Sequence, residues 1–154
     1  MRCDIHTHAF HPKIAAKVLA QLQEHYGIPA AGSGHIEDLL HRIHAAGLDR
    51  VVVHNAATTP DQVIPANNWA LELERHYEQV IAFGTVHPGF DRWPEQLERL
   101  AAAGIVGIKL HPDFQGIALD DPCMRPIFEA LQGRFSGSGC DSNGDIQAQT
   151  IIPI

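Results

Sequence analysis

Three things are scarce in this 154-residue chain: cysteine, clustered positive charge, and long apolar runs. The three cysteines, Cys3, Cys123 and Cys140, are odd in number and lack both zinc-knuckle and redox spacing, so a disulfide framework is not expected and a reducing, cytoplasmic setting is. Eleven Lys and Arg stand against eighteen Asp and Glu, a net charge of -7 with no basic cluster, which argues against nucleic acid or an anionic membrane surface as partner. No apolar run nears the roughly 18 residues of a membrane span, and the chain opens directly on a strand pattern, so neither an anchor nor a signal peptide is expected. What remains is a chain with 45% apolar residues, long enough for one compact domain.

Histidine is the excess. The chain holds eleven, more than a core requires, and histidine is both the commonest metal ligand and the usual proton-transfer residue. His25, His41, His44 and His76 fall on amphipathic helical patterns, where a solvated or half-buried position accounts for them. The opening Asp4-Ile5-His6-Thr7-His8 differs. Side chains alternate along a strand, so Asp4, His6 and His8 share one face, and two imidazoles separated by one residue can converge on a single ion.

Short apolar strands alternate with helical stretches, which predicts a parallel sheet of βα units. Strands are expected at about 2–6, 50–54, 80–86 and 105–110. Helices are expected at about 12–26, 36–46, 66–77, 94–103 and 122–131. The run Val51-Val52-Val53 has the continuous β-branched character of a strand covered on both faces. All four strands end alike, in His6-Thr7-His8, His54-Asn55, His87-Pro88 and His111-Pro112. In parallel α/β folds those C-terminal ends form the functional rim. Parity sets Lys109 and His111 opposite Ile108 and Leu110, hence inward. His87 is left open between the two faces, and His54 is read as packing outward beneath the helices.

The segments Asp4-Ile5-His6-Thr7-His8, Phe83-Gly84-Thr85-Val86-His87-Pro88 and Gly107-Ile108-Lys109-Leu110-His111-Pro112-Asp113-Phe114-Gln115-Gly116 together resemble the amidohydrolase-related metal-dependent hydrolases (amidohydrolase family 2). Those are TIM-barrel proteins, with decarboxylases of the aminocarboxymuconate semialdehyde type among their relatives. The resemblance implies a divalent ion, usually zinc, held in part by His6 and His8, and attack on the carbonyl of a small amide, ester or lactone. A decarboxylase, or a non-catalytic half-barrel fragment, is the alternative. Lys109 then holds a substrate carboxylate, becomes a carboxylated, metal-bridging lysine, or forms an interior ion pair. His111 and His87 are candidates for substrate binding. Asp4 either orients one imidazole or bonds to a neighbouring loop.

A TIM barrel has eight βα units and about 250 residues. Four units are legible here, over 1–135. From Ser136 the run Ser136-Gly137-Ser138-Gly139-Cys140-Asp141-Ser142-Asn143-Gly144-Asp145 has linker composition, and 136–154 is expected to be an irregular, disordered tail, out of register with an ancestral reading frame. The chain is thus expected to be a truncated member, the family's later ligands on strands five, six and eight having no counterpart. Two histidines fill half a four-coordinate shell, so weak metal binding and little hydrolysis are expected of the chain alone. Strands one and four should be open edges that drive self-association.

Overall fold

The computed structural model describes residues 1–132 and the strand at 151–153; most of the expected tail therefore lies outside the described residues. Four parallel strands, β1 (Cys3–Thr7), β2 (Arg50–His54), β3 (Val80–Thr85) and β4 (Gly107–Lys109), lie in sequence order and curl into a half-barrel. Helical stretches join each strand to the next, two of them between β1 and β2, an arrangement that places consecutive parallel strands side by side, and the curl follows from the fixed hand of strand twist. The helices are α1 (Ala15–Tyr26), α2 (Ile36–Ala45), α3 (Val63–His76), α4 (Trp93–Ala102), the single turn α5 (Pro112–Gln115) and α6 (Arg125–Gln132).

A fifth strand, β5 (Ile151–Pro153), pairs antiparallel with β4. The expectation of two open edges therefore holds only at β1, which pairs with β2 alone among the described residues. The terminal segment adds as an edge strand, a place where the N–H that Pro153 lacks is not needed by a further ladder.

Several element boundaries differ from expectation, among them the starts of α1 and α6, each three residues later than expected, and β4, which spans only Gly107–Lys109. Helix α3 begins three residues early, because Pro65 occupies the first helical turn, where the missing N–H would have no partner in any case. A 3-10 turn over Pro60–Gln62 leads into it. Helix α5 is additional: His111 precedes Pro112, and Gly116 at φ 65° stops the helix after four residues.

Alternation along the strands divides the sheet into two faces. Val51, Val53, Val80, Ala82 and Ile108 point to the helices and join Leu73, Leu97, Leu100, Ile127 and Leu131 in the core. The opposite, concave face carries Val52, His54, Ile81, Phe83, Gly107 and Lys109, with Val52 against Ile81 and His54 against Phe83 in register. Gly107 leaves room for the Phe83 ring to lie across β4, since a Cβ there would overlap three ring carbons. Gly107→Ala is therefore expected to push Phe83 off the floor of the half-barrel and to destabilise the fold by about 1–3 kcal/mol, measured by denaturant unfolding. An unchanged unfolding midpoint would mean the ring moves freely.

Buried polar groups at the strand ends are paired. The Thr85 N–H donates to Asn67 Oδ1 (2.8 Å), and the Thr85 hydroxyl donates to the Lys109 carbonyl (2.9 Å) while accepting from the Ala57 N–H (3.1 Å). Asn67 and Thr85 have no solvent exposure. These bonds lock the ends of β3 and β4 and the loop after β2 into one layer.

Candidate metal centre

β1 delivers His6 and His8, and β2 delivers His54. The potential ligand atoms of the three rings all lie within 4.8 Å of one another. Ring centroids are 5.2 Å apart for His6 and His8, 4.5 Å for His6 and His54, and 5.0 Å for His8 and His54. The pair predicted from the sequence is thus part of a triad, and His54 faces inward with it instead of outward beneath the helices. Its fellow on the concave face in β2 is Val52; the helix-facing positions are Val51 and Val53.

The bonding pattern suits a cation. His8 Nδ1 lies 2.6 Å from the His54 carbonyl, an acceptor only, so Nδ1 carries the proton and the Nε2 lone pair is free. Metal-ligating histidines are fixed in this manner by backbone carbonyls. His54 is fully buried, and neither ring nitrogen is hydrogen-bonded among the described residues, the Ile5 backbone acting on the ring only as a minor influence that raises its pKa. Such an unsatisfied group costs about 1–3 kcal/mol, which a metal–nitrogen bond would offset. Three imidazole nitrogens match the donor set of catalytic zinc sites, which keep the fourth position for water or substrate.

Burial pushes the His54 ring down to about 3, with the charges of His8, Lys109 and His6 adding to the effect. His8 is an exposed residue, yet its ring is walled by His6, His54 and Phe10, and loss of water around it brings it down to about 4. The His54 carbonyl opposes that shift. His6 is lowered by burial and by Lys109, with Asp4 opposing. All three rings are therefore neutral at pH 7, the form that binds metal.

Lys109 is 1% exposed, and its Nζ has no partner among the described residues. Its charge lowers His6, His8, His54 and His111 alike, which places it among them, and burial lowers its own pKa. The interior ion pair considered for Lys109 does not occur among the described residues. His111 is half-buried against Phe114, ring centroids 4.5 Å apart, and its Nδ1 is buried without a partner among the described residues. Burial and Lys109 lower it.

The remaining candidates are engaged in local bonds. The His87 ring accepts the Gly89 N–H through Nδ1 (3.0 Å) and so is engaged by its own loop. Asp4 accepts the His6 backbone N–H (3.0 Å), a local turn bond, and acts on the His6 ring only through its charge. His25, His41, His44 and His76 are exposed, as expected of helix-surface residues.

Two residues absent from the sequence-based set shape the site. Gln115 donates to the carbonyls of Ala57 (3.0 Å) and Val86 (2.8 Å) and accepts the His111 N–H (2.9 Å), tying together the loops after β2, β3 and β4. Asn55 donates to the Ala9 carbonyl (2.9 Å), which also accepts from Trp69 Nε1 (2.8 Å), and so holds the loop that follows His8.

Fold and site together define an α/β half-barrel whose concave face carries a three-histidine cluster beside a buried lysine. No protein-family model, curated protein or solved structure matches the chain. No helix among the described residues is long and apolar enough to cross a membrane.

Proposed function

We propose that the chain is a metal-dependent hydrolase of the amidohydrolase-related kind, built on a partial TIM barrel and acting on a small amide, ester or lactone. The observation that carries this reading is the clustering of His6, His8 and a buried His54, unpartnered among the described residues, with ligand atoms within 4.8 Å of one another. These three residues would hold a divalent ion, with zinc the first choice for an all-imidazole set. Bound there, the ion would supply a water of pKa about 7 and polarise a carbonyl oxygen. His8 keeps its tautomer through the His54 carbonyl, so the donor set is oriented before the ion arrives. Lys109 lies near enough to His111 for its charge to lower that ring's pKa, and both would contact substrate; His87 would do so only after releasing Gly89. The free thiols of Cys3 and Cys123 agree with a cytoplasmic setting.

Metal content and turnover test the proposal together. Protein dialysed against zinc and then against buffer is expected to retain one ion per chain and to hydrolyse activated esters or lactones faster than a His6→Gln/His8→Gln variant. A half-barrel supplies one wall of a barrel site, so that rate is expected to be low. Zinc retention no better than in the double variant would end the metal reading; retention without a rate difference would leave a metal-binding half-barrel without hydrolase activity.

We also infer self-association through the open edge of β1, where Ile5 is 65% exposed and Met1 94% exposed. Light scattering should give a dimer or a larger species, shifted toward monomer by Ile5→Lys, which blunts an edge with charge. A sharp monomer peak for the unaltered protein at high concentration would contradict this.

A further inference from the structure

We propose that residues 11–33, with α1 at their centre, form a lid that lies across the mouth of the half-barrel, hinged at Phe10 and Gly34 and latched at Phe114. The inference goes beyond the hydrolase reading and does not depend on a metal. α1 is surplus to the alternation of strand and helix, because the helix that covers the sheet between β1 and β2 is α2, which gives Ile36 and Ile43 to the core; no residue of α1 belongs to that core. Of its twelve residues only Ala15 is buried, and among the described residues α1 packs broadly against no strand and no other helix. A segment with so little buried apolar contact falls at the low-stability end of a fold.

The two ends of the helix are held at opposite sides of the mouth. At the base the Phe10 N–H donates to the Gly34 carbonyl (2.8 Å), so the chain leaves and returns at one point. Gly34 sits at φ 75°, and a Cβ there would meet the Phe10 ring at 3.2 Å and the Leu19 side chain at 3.3 Å, which makes this a close crossing of hinge and helix. The Phe10 ring stacks on His8, centroids 6.0 Å apart with 11° between the planes. At the far end His25 and Tyr26 meet the Phe114 ring on α5, centroids 4.8 and 6.0 Å away, and Phe114 lies in turn against His111. α1 therefore runs from the loop after β1 to the loop after β4, the first and fourth parallel strands. Three strand spacings come to about 14 Å, and twelve helical residues reach about 18 Å, enough to bridge them. A straight rod joining the two margins of a curled sheet follows the chord, on the concave side.

Exposure matches that placement. Near the latched end Lys109 is 1% exposed and His111 half-buried, whereas His6 and His8, near the base, are exposed. Neither 8–14 nor 27–35, the stretches flanking α1, contains a helix or a strand, and Gly27 at φ 70° ends the helix. Opening then needs only the parting of the Phe114 ring contacts and a rotation of α1 about Phe10 and Gly34, the kind of hinge that loop residues absorb.

The test uses metal-free full-length protein and two variants of the latch, His25→Ala/Tyr26→Ala on the helix and Phe114→Ala on α5. Hydrogen exchange followed by mass spectrometry is expected to show α1 opening faster than α2 and α3 in the unaltered protein, and at least about fivefold faster again in both variants, with α2 and α3 unchanged. Acetylation by acetic anhydride reports what the lid covers. The chain has three lysines, and Lys13 and Lys17, exposed on the lid itself, are internal standards for Lys109. Labelling of Lys109 relative to them should rise in both variants by a factor similar to that for exchange. The His25→Ala/Tyr26→Ala variant leaves α5 intact, so a rise confined to Phe114→Ala would mean that α5 alone covers Lys109 and would overturn the proposal. So would α1 amides that exchange no faster than those of α2, or that are already unprotected in the unaltered protein. Zinc titration of the same proteins separates the claims: loss of zinc binding throughout ends the metal reading and leaves the lid standing, whereas unchanged exchange and labelling end the lid and leave the metal centre standing.

Discussion

His54→Leu is expected to weaken zinc binding by about a hundredfold or more while raising the stability of the metal-free protein by about 1–2 kcal/mol. Changing an outer partner of a metal ligand already costs 10- to 100-fold in affinity, and removal of a direct ligand should cost no less. The stability gain has a separate origin. His54 is fully buried with both ring nitrogens unpaired among the described residues, and a shape-matched apolar side chain beside Phe83 and Val52 does not incur that desolvation. Opposite signs for affinity and stability mark a residue retained for binding. Isothermal titration and urea unfolding measure the two quantities. A variant that loses stability and keeps its zinc affinity would show that His54 is a core residue and no ligand.

Acid should destabilise the metal-free protein well above the pH at which carboxylates titrate. His54 and His8 hold folded pKa values of about 3 and about 4, against 6.5 for an ordinary histidine. The unfolded chain therefore takes up protons first as pH falls below 6.5, while the folded chain does not. Stability declines through that window until the folded values are reached. The limiting slope is about 1.4 kcal/mol per pH unit for His54 and a smaller amount for His8, whose exposure lets solvent screen it. By pH 4 the His54 loss alone is about 3 kcal/mol, so a domain at the low end of the usual range of roughly 5–15 kcal/mol should unfold near pH 4 once His8 adds its share. Asp38, Glu95 and Asp121, held low by their hydrogen-bond partners, act in the same direction but only below about pH 4. Circular dichroism in urea at a series of pH values gives the slope, which His54→Leu should cut by more than half. A flat profile from pH 6.5 to 4.5 would contradict the assignment.

The sheet order and the alternation of strands with helices were legible because Val51-Val52-Val53, Val80 to Thr85 and the Gly47 and Gly104 stops are strong local signals. The inward parity of Lys109 could be read for a similar reason, as Ile108 and Leu110 mark the opposite face. His54 could not be placed from its own strand: three consecutive valines satisfy either face, and only the register of β2 against β3, His54 opposite Phe83, decides it. The parity argument for Asp4, His6 and His8 assumed a regular strand, but β1 shifts register between Asp4 and Thr7, and the Asp4 carboxylate turns to the His6 N–H. Gln115 escaped notice because its work is done in three dimensions, across loops 58 and 29 residues away.

Zinc K-edge X-ray absorption on the loaded protein tests the triad most directly. The account predicts imidazole scattering from three nitrogen ligands at about 2.0–2.1 Å with one further light atom, and one fewer imidazole in His54→Leu. A shell of oxygen ligands, or an imidazole count unchanged by that substitution, would contradict it.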